Sequence, residues 1–225
     1  MDELNALRAL GDAERGAQMA AYHKVTRIYL GVPVPLIAGL VAEWRAGRDI
    51  AGRVALARDL WTSDIHEARI AAAKLLTQAR IRPDAGVWDS ITLWQPDFDA
   101  WAIADHVMIA GQKRLIADPA RLDQVEGWSE DPNMWIRRAA LVGTLPWAKM
   151  NNPKPDDLAR RERILGWAAG MVDDREWFIQ KAIAWWLRDL SKRDAPRVRA
   201  FLTEYGPRLR PFARREAGRL IHPDN

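Results

Sequence analysis

The sequence contains no cysteine among its 225 residues. Disulfide bridges, thiolate-bound zinc and iron–sulfur clusters are therefore excluded. Histidine is also scarce, and the four that occur are scattered, without the spacing of a metal site or a catalytic dyad. They are His23, His66, His106 and His222. The sequence predicts no metal site and no cofactor.

Long apolar runs are missing too. The longest stretch without charge covers residues 28–42 and contains Pro33 and Pro35, so it is too short and too interrupted to cross a bilayer. The first ten residues, MDELNALRAL, do not resemble a signal peptide. We expect a soluble intracellular protein.

Phosphate-binding loops (G-x-x-x-x-G-K-[ST]), nucleophile elbows (G-x-S-x-G) and zinc-protease helices (H-E-x-x-H) are absent as well.

Positive charge is concentrated in the second part of the chain. Residues 1–133 carry 15 Lys/Arg and 19 Asp/Glu, a net charge of −4, whereas residues 134–225 carry 19 and 11, a net charge of +8. A basic half indicates a polyanionic partner such as nucleic acid. A solvated helical surface explains the same charge, and composition alone leaves both interpretations open.

The apolar residues predict helices throughout. They recur at intervals of three and four, and prolines next to acidic or polar residues mark helix starts. A small alanine returns on the apolar face at intervals of 33, 35, 43 and 35 residues, the size of a helix pair. These alanines are Ala71, Ala104, Ala139, Ala182 and Ala217. The pattern predicts an all-α solenoid of helix pairs with a concave face, and an irregular helical bundle is the alternative. Because no linker divides the chain, we expect one domain over residues 1–225.

Two adjacent tryptophans in the segment WFIQKAIAWWLRDLSKR cannot both face the core of a helix. On a helical wheel Trp186 lies with the apolar residues, whereas Trp185 lies among Lys181, Arg188 and Lys192. An indole among cations suits nucleic acid, where phosphates take the charges. The alternative is that a neighbouring helix covers Trp185 while the lysines extend past it to solvent.

The segment PDFDAWAIADHV carries a second aromatic and acidic group. Trp101 and Asp105 are four residues apart and lie opposite the apolar stripe of a predicted helix. Asp97, another turn earlier, is expected to share that face. The alternative is an aspartate that caps or pairs locally and an indole that the next repeat covers.

These stretches resemble the AlkD-type DNA alkylpurine glycosylases, all-helical enzymes of alkylation repair built from HEAT-like repeats. The resemblance runs from about Tyr22 to Ile221. It is strongest at WIRRAALV and EWFIQKAIAWWLRDLSKRD and clear at AAYHKVTRIYLGVPVP and LWTSDIHEARIAAAKLL. Family members often have Trp-Trp-Asp where this chain has Ala100, Trp101 and Ala102, but the spacing to Asp105 is kept.

The resemblance implies roles for individual residues. The family's catalytic aspartate falls on Asp105 and its active-site arginine on Arg138. Its two active-site tryptophans fall on Trp101 and Trp185. An aromatic residue near the lesion falls on Tyr22. The remaining expected DNA contacts are Arg188, which matches a family cation, and Lys181, which lies on the same cationic face. We expect the site residues other than Lys181 to line one concave, basic, DNA-binding face of the solenoid.

The function implied is excision of positively charged N3- or N7-alkylated purines from double-stranded DNA, largely without base flipping. The expected protein is a monomeric cytoplasmic hydrolase that associates with the nucleoid when bound to DNA. The alternative from another class is a HEAT-like scaffold without catalytic activity that binds nucleic acid or protein. A carboxylate that converges with indoles favours the enzyme, since a scaffold has no need of it.

Overall fold

The computed structural model describes residues 1–221 and is helical throughout, which confirms the predicted all-α class. Within these residues no strand forms, and Ile28 and Ile65 make an isolated bridge. None of the helices in this part of the chain combines the length and the apolar character needed to span a bilayer. His222 lies outside the described residues.

The chain divides into two compact units, residues 1–117 and 118–225. The single domain over residues 1–225 therefore stays a prediction. Several helices begin with a polar side chain that accepts a hydrogen bond from a free backbone N–H group. Asp12 and Asp49 do so in the first unit, and Asn133 and Asp194 in the second.

The first unit consists of seven helices connected by short turns. They are α1 (Asp2–Ala9), α2 (Ala13–His23), α3 (Val34–Ala46), α4 (Ile50–Thr62), α5 (His66–Leu75), α6 (Ala85–Trp94) and α7 (Trp101–Ala117). Helix α5 lies at the centre, since it packs against α3, α4 and α7 and buries nearly all of its side chains. Trp61 of α4 stacks on Trp94 of α6 with ring centroids 4.4 Å apart.

The second unit also consists of helices that pack around one central helix. Its helices are α8 (Leu122–Trp128), α9 (Met134–Gly143), α10 (Leu145–Lys149), α11 (Pro155–Gly170), α12 (Trp177–Ser191), α13 (Ala195–Glu204) and α14 (Pro211–Gly218). Helix α12 is central and packs against α9, α10, α13 and α14. Its apolar face includes Ile179, Ile183 and Leu190, which are all fully buried.

The alanines that set the predicted repeat lie on α5, α7, α9, α12 and α14, and all five are buried. A methyl side chain at these positions lets neighbouring helices approach closely. Four tryptophans are also buried in the cores of the two units. They are Trp44, Trp61, Trp147 and Trp167.

Candidate functional site

The start of α7 carries two of the predicted site residues. The helix begins at Trp101, and Asp105 follows about one turn later, so both lie on one side of it. Ile103 and Val107 on the opposite side are fully buried, whereas Trp101 and Asp105 are half-buried. Helix α7 thus holds an indole and a carboxylate next to each other, away from its apolar stripe.

Asp97 does not share this face, and the prediction that places it there is wrong. It ends a 3-10 turn, Gln95–Asp97, that precedes α7. Its carboxylate accepts a hydrogen bond of 2.8 Å from Nε1 of Trp61 and lies 3.8 Å from a guanidinium nitrogen of Arg69. These contacts come from residues far away in the sequence, and they anchor the segment ahead of the helix.

Buried arginines fix the same segment. Arg27, whose side chain is 2% exposed, lies 2.6 Å from the carboxylate of Asp99 and 3.2 Å from that of Asp64. Arg69 also contacts Asp64, at 3.1 Å. Removing one member of such a network leaves a buried charge uncompensated, which is strongly unfavourable. The network therefore holds the chain immediately before Trp101 in one position.

Tyr22, the predicted aromatic contact near the lesion, meets Trp101. The two ring centroids are 6.5 Å apart and the planes cross at 88°, an edge-to-face arrangement. Tyr22 is 69% exposed. His23, at the end of α2, packs against the same indole with centroids 5.9 Å apart. The first unit therefore presents an accessible aromatic pair beside Asp105.

The fold gathers histidines that are scattered in the sequence. The rings of His23 and His66 are 4.6 Å apart, and Tyr29 packs 4.9 Å from His66. Burial, followed by the nearby His23 and Arg27, lowers the pKa of His66 to about 3. Burial also lowers the pKa of His23 and of His106. All three rings are neutral at pH 7, and the one that packs against Trp101 is that of His23.

A buried carboxylate holds the loop that follows α2. Glu67 is fully buried and accepts hydrogen bonds from the backbone N–H groups of residues 30, 31 and 32 at 2.9, 2.7 and 3.3 Å. Gly31 has a φ of 79°, and a Cβ atom there would lie 2.1 Å from the carbonyl oxygen of Asp12. Only glycine fits this position. The fixed loop in turn helps to position α2, which carries Tyr22.

Arg138 lies in the second unit, on α9, and is buried. Its Nη1 donates a hydrogen bond of 3.0 Å to the carbonyl oxygen of Phe178, and its guanidinium lies 5.8 Å from the ring of that residue. The neighbouring Arg137 instead contacts Asp174 at 2.8 Å. Of the two adjacent arginines, Arg138 is therefore the one that is anchored to the start of α12.

The adjacent tryptophans of α12 divide as the helical wheel predicts. Trp186 is fully buried, whereas Trp185 is half-buried. A cation from another helix lies over the Trp185 ring, since Nζ of Lys149 is 5.6 Å from the ring centroid. The same ammonium group is 3.4 Å from Asp189. Trp185 therefore stands at a charged surface, with its cation held in place by an aspartate.

Lys181 and Arg188, the predicted phosphate contacts, are both engaged by Glu216 of α14. Arg188 donates a hydrogen bond to Oε1 of Glu216, and Nζ of Lys181 lies 3.9 Å from the same oxygen. A phosphate group that approaches these cations must compete with this carboxylate. The sequence gives no sign of the contact, because Glu216 lies 28 residues beyond Arg188.

Trp177 is an exposed indole that the sequence reasoning leaves out. It is 47% exposed, and its ring lies 5.8 Å from Phe212 and 5.0 Å from Phe178. The ammonium group of Lys181 is 5.9 Å from the Trp177 ring. The sequence feature that could have identified Trp177 is its position one helical turn before Lys181, which places the indole and the lysine on the same side of α12.

The predicted site residues fall into two groups, one in each unit. Three lie in the first unit and four in the second: Tyr22, Trp101 and Asp105, then Arg138, Lys181, Trp185 and Arg188. The structure brings Tyr22 and Trp101 into contact and joins Lys181 to Arg188 through one carboxylate. That the two groups share one concave surface stays a prediction.

The sequence of residues 4–221 matches the family model described as DNA alkylation repair enzyme. Comparison with curated protein sequences finds no match.

Solved structures show the same fold. A predicted DNA alkylation repair enzyme from Enterococcus faecalis superposes with a TM-score of 0.77 at 21% identity, covering 95% of this chain and 98% of that one. AlkD2 from Streptococcus mutans superposes with a TM-score of 0.63 at 17% identity, covering 85% and 91%. The predicted helical-repeat class is confirmed by this likeness.

Proposed function

The chain belongs to the DNA alkylation repair enzyme family, and we propose that it is a monofunctional DNA glycosylase that excises N3- or N7-alkylated purines from duplex DNA. The observation that carries this proposal is the placement of Asp105 next to Trp101, on the side of α7 away from the core and beside the exposed Tyr22. A carboxylate and aromatic faces at an accessible surface suit a substrate that develops positive charge.

Alkylation at N3 or N7 gives the purine a formal positive charge. When the bond between C1′ and the purine nitrogen breaks, the electron pair stays with the base, which leaves neutral and needs no protonation. Positive charge then develops on the deoxyribose, as it does on the sugar in glycosidases. In this mechanism Asp105 stabilises that charge and orients the water that adds to C1′. The water forms the new C1′–O bond and loses one proton to solvent.

The neighbouring histidines agree with a reaction that uses no general acid. His66, with a pKa of about 3, and the half-buried His23 are uncharged at neutral pH, so neither supplies an acidic proton to the leaving base. Cation–π contacts from Trp101 and Trp185 add about 0.5–2 kcal/mol each to stabilisation of the sugar cation. The proposed reaction calls for no cofactor.

The remaining residues of the proposed site complete the catalytic group and bind the duplex. Arg138 acts with Asp105 and the two tryptophans as the active-site arginine. Tyr22 contacts the DNA near the lesion, and Lys181 and Arg188 contact the backbone around it. In this binding mode the lesion stays largely stacked in the duplex, unlike base flipping, in which the target nucleotide rotates into a pocket. The proposal places all these residues on one concave basic face of a monomer, with residues 1–225 acting as one domain.

Release of free base is the direct test. Duplex DNA that contains a single 7-methylguanine is incubated with excess protein, and free 7-methylguanine is measured against an undamaged duplex of the same sequence. We expect release from the first duplex with the strand left uncut at the abasic position, as a monofunctional enzyme requires. Binding to both duplexes without any release would favour the scaffold instead.

A further inference from the structure

A basic groove lies in the second unit between α13 and α14. Its volume is about 830 Å³, and Arg199, Arg214 and Arg215 lie along it. Leu202 and Gly206 form part of its apolar floor. None of the proposed site residues lines this groove, and none of the described residues that do so is acidic.

Two of these arginines have no polar partner among residues 1–221. Arg214 and Arg215 are exposed, and neither side chain makes an ion pair or a hydrogen bond with any of residues 1–221. Other exposed arginines of this unit do have partners: Arg197 binds Glu162 at 2.8 Å and Arg208 binds Asp173. Like charges around one depression repel each other, and an anionic ligand removes that repulsion.

The groove lies on a different side of α14 from the cations of the proposed site. Glu216, which contacts Arg188, is two residues after Arg214 and so projects about 200° away around the helix. Arg214 instead lies over Gly206, where a Cβ atom would be 3.5 Å from its Nε. The groove cations are thus separate from Lys181 and Arg188.

We infer that this groove binds the sugar–phosphate backbone of duplex DNA at a point outside the proposed active site. Guanidinium groups recognise phosphate oxygens in bidentate fashion, and an apolar floor accommodates the sugars between them. A small phosphorylated ligand would remain largely in solvent beside exposed arginines, whereas binding pockets bury most of such a ligand. Duplex DNA that is already bound at the proposed active site gains the groove contacts without the entropic cost of a second, independent binding event. The inference therefore extends the proposed function.

The test is a binding titration with undamaged duplex DNA at several salt concentrations. The variant R214A/R215A should lose two phosphate contacts, so the slope of log K against log salt should become less steep by about 1.8. Its affinity at 0.1 M salt should fall roughly tenfold or more. R214K/R215K, which keeps both charges, should retain most of the slope.

The matched control R163A/R197A also removes two positive charges from this unit, but its arginines are occupied by carboxylates. It should retain the slope as well.

An unchanged slope in folded R214A/R215A, or an equal loss in the control, would overturn the inference. So would tight binding of a mononucleotide that depends on these arginines while duplex binding does not. Because the duplex carries no lesion, the result does not depend on excision. If the wild-type protein releases no base but the groove variant binds weakly, the proposed function fails and the groove stands.

Discussion

Replacing Glu216 with glutamine should strengthen DNA binding, although it removes a native ion pair. The Glu216 carboxylate contacts Arg188 and lies 3.9 Å from Lys181, and its side chain is 19% exposed. If these two cations meet phosphates, the carboxylate repels the same phosphates and competes for the same donors. Glutamine keeps the size of the side chain and removes the charge.

The expected magnitude follows from the geometry. Two unit charges 4 Å apart interact by about 1 kcal/mol in water and by about 4 kcal/mol at the dielectric of a protein surface. A partly exposed carboxylate lies towards the lower value, so we expect a gain of about 1–2 kcal/mol, or about 5- to 30-fold in affinity. The salt dependence should become steeper, because both cations are released for phosphate.

Fluorescence anisotropy with a short labelled duplex measures both quantities. Glu162→Gln is the control, since Glu162 pairs with Arg197 in the same unit but with neither proposed DNA contact. Stability should change in the opposite direction, with Glu216→Gln losing up to about 1 kcal/mol in urea denaturation. Arg188→Ala should then weaken binding more in the Glu216→Gln background than in the wild type. Unchanged or weaker binding by folded Glu216→Gln would refute the phosphate role of Arg188 and Lys181.

Two further predictions concern stability. Glu67→Gln keeps one oxygen for the backbone N–H groups of residues 31 and 32 but turns an amide N–H₂ group towards the N–H of Leu30, so urea denaturation should show a loss of about 2–3 kcal/mol. A loss below about 0.5 kcal/mol would contradict the role of Glu67. The unfolded chain protonates His66 near pH 6.5 and the folded protein only near 3, so stability should fall as the pH drops through this window, by up to about 1.4 kcal/mol per pH unit for His66. His66→Phe should flatten the profile, and equal slopes in the two proteins would exclude His66 as its source.

The helical repeat could be predicted from sequence because it depends on local properties. Ala139 and Ala182 recur at the spacing of a helix pair, and both are buried. The same local periodicity separates Trp186, in the core, from Trp185, at the surface. Apolar periodicity and side-chain size act within one or two turns, so a single sequence contains them in full.

The contacts that define the candidate site join distant segments and could not be predicted in this way. The helical wheel places Asp97 on α7, whereas a hydrogen bond to Trp61 holds it in the turn before the helix. The meeting of His23 with His66 depends on the packing of α2 and α5. The ion pair between Arg188 and Glu216 likewise needs the tertiary structure. Sequence periodicity carries none of this information.

Single-turnover release of 7-methylguanine by Asp105→Asn is the decisive experiment for the proposed catalytic role. The substitution keeps the size of the side chain and removes the charge that is proposed to stabilise the sugar cation. Asp59→Asn, at an exposed aspartate on α4 of the same unit, is the control. We expect a rate about 10- to 1,000-fold below wild type for Asp105→Asn, equivalent to about 1.4–4 kcal/mol. DNA binding should be equal or slightly tighter, and Asp59→Asn should excise at the wild-type rate. Excision by Asp105→Asn at the wild-type rate would exclude a catalytic role for this carboxylate.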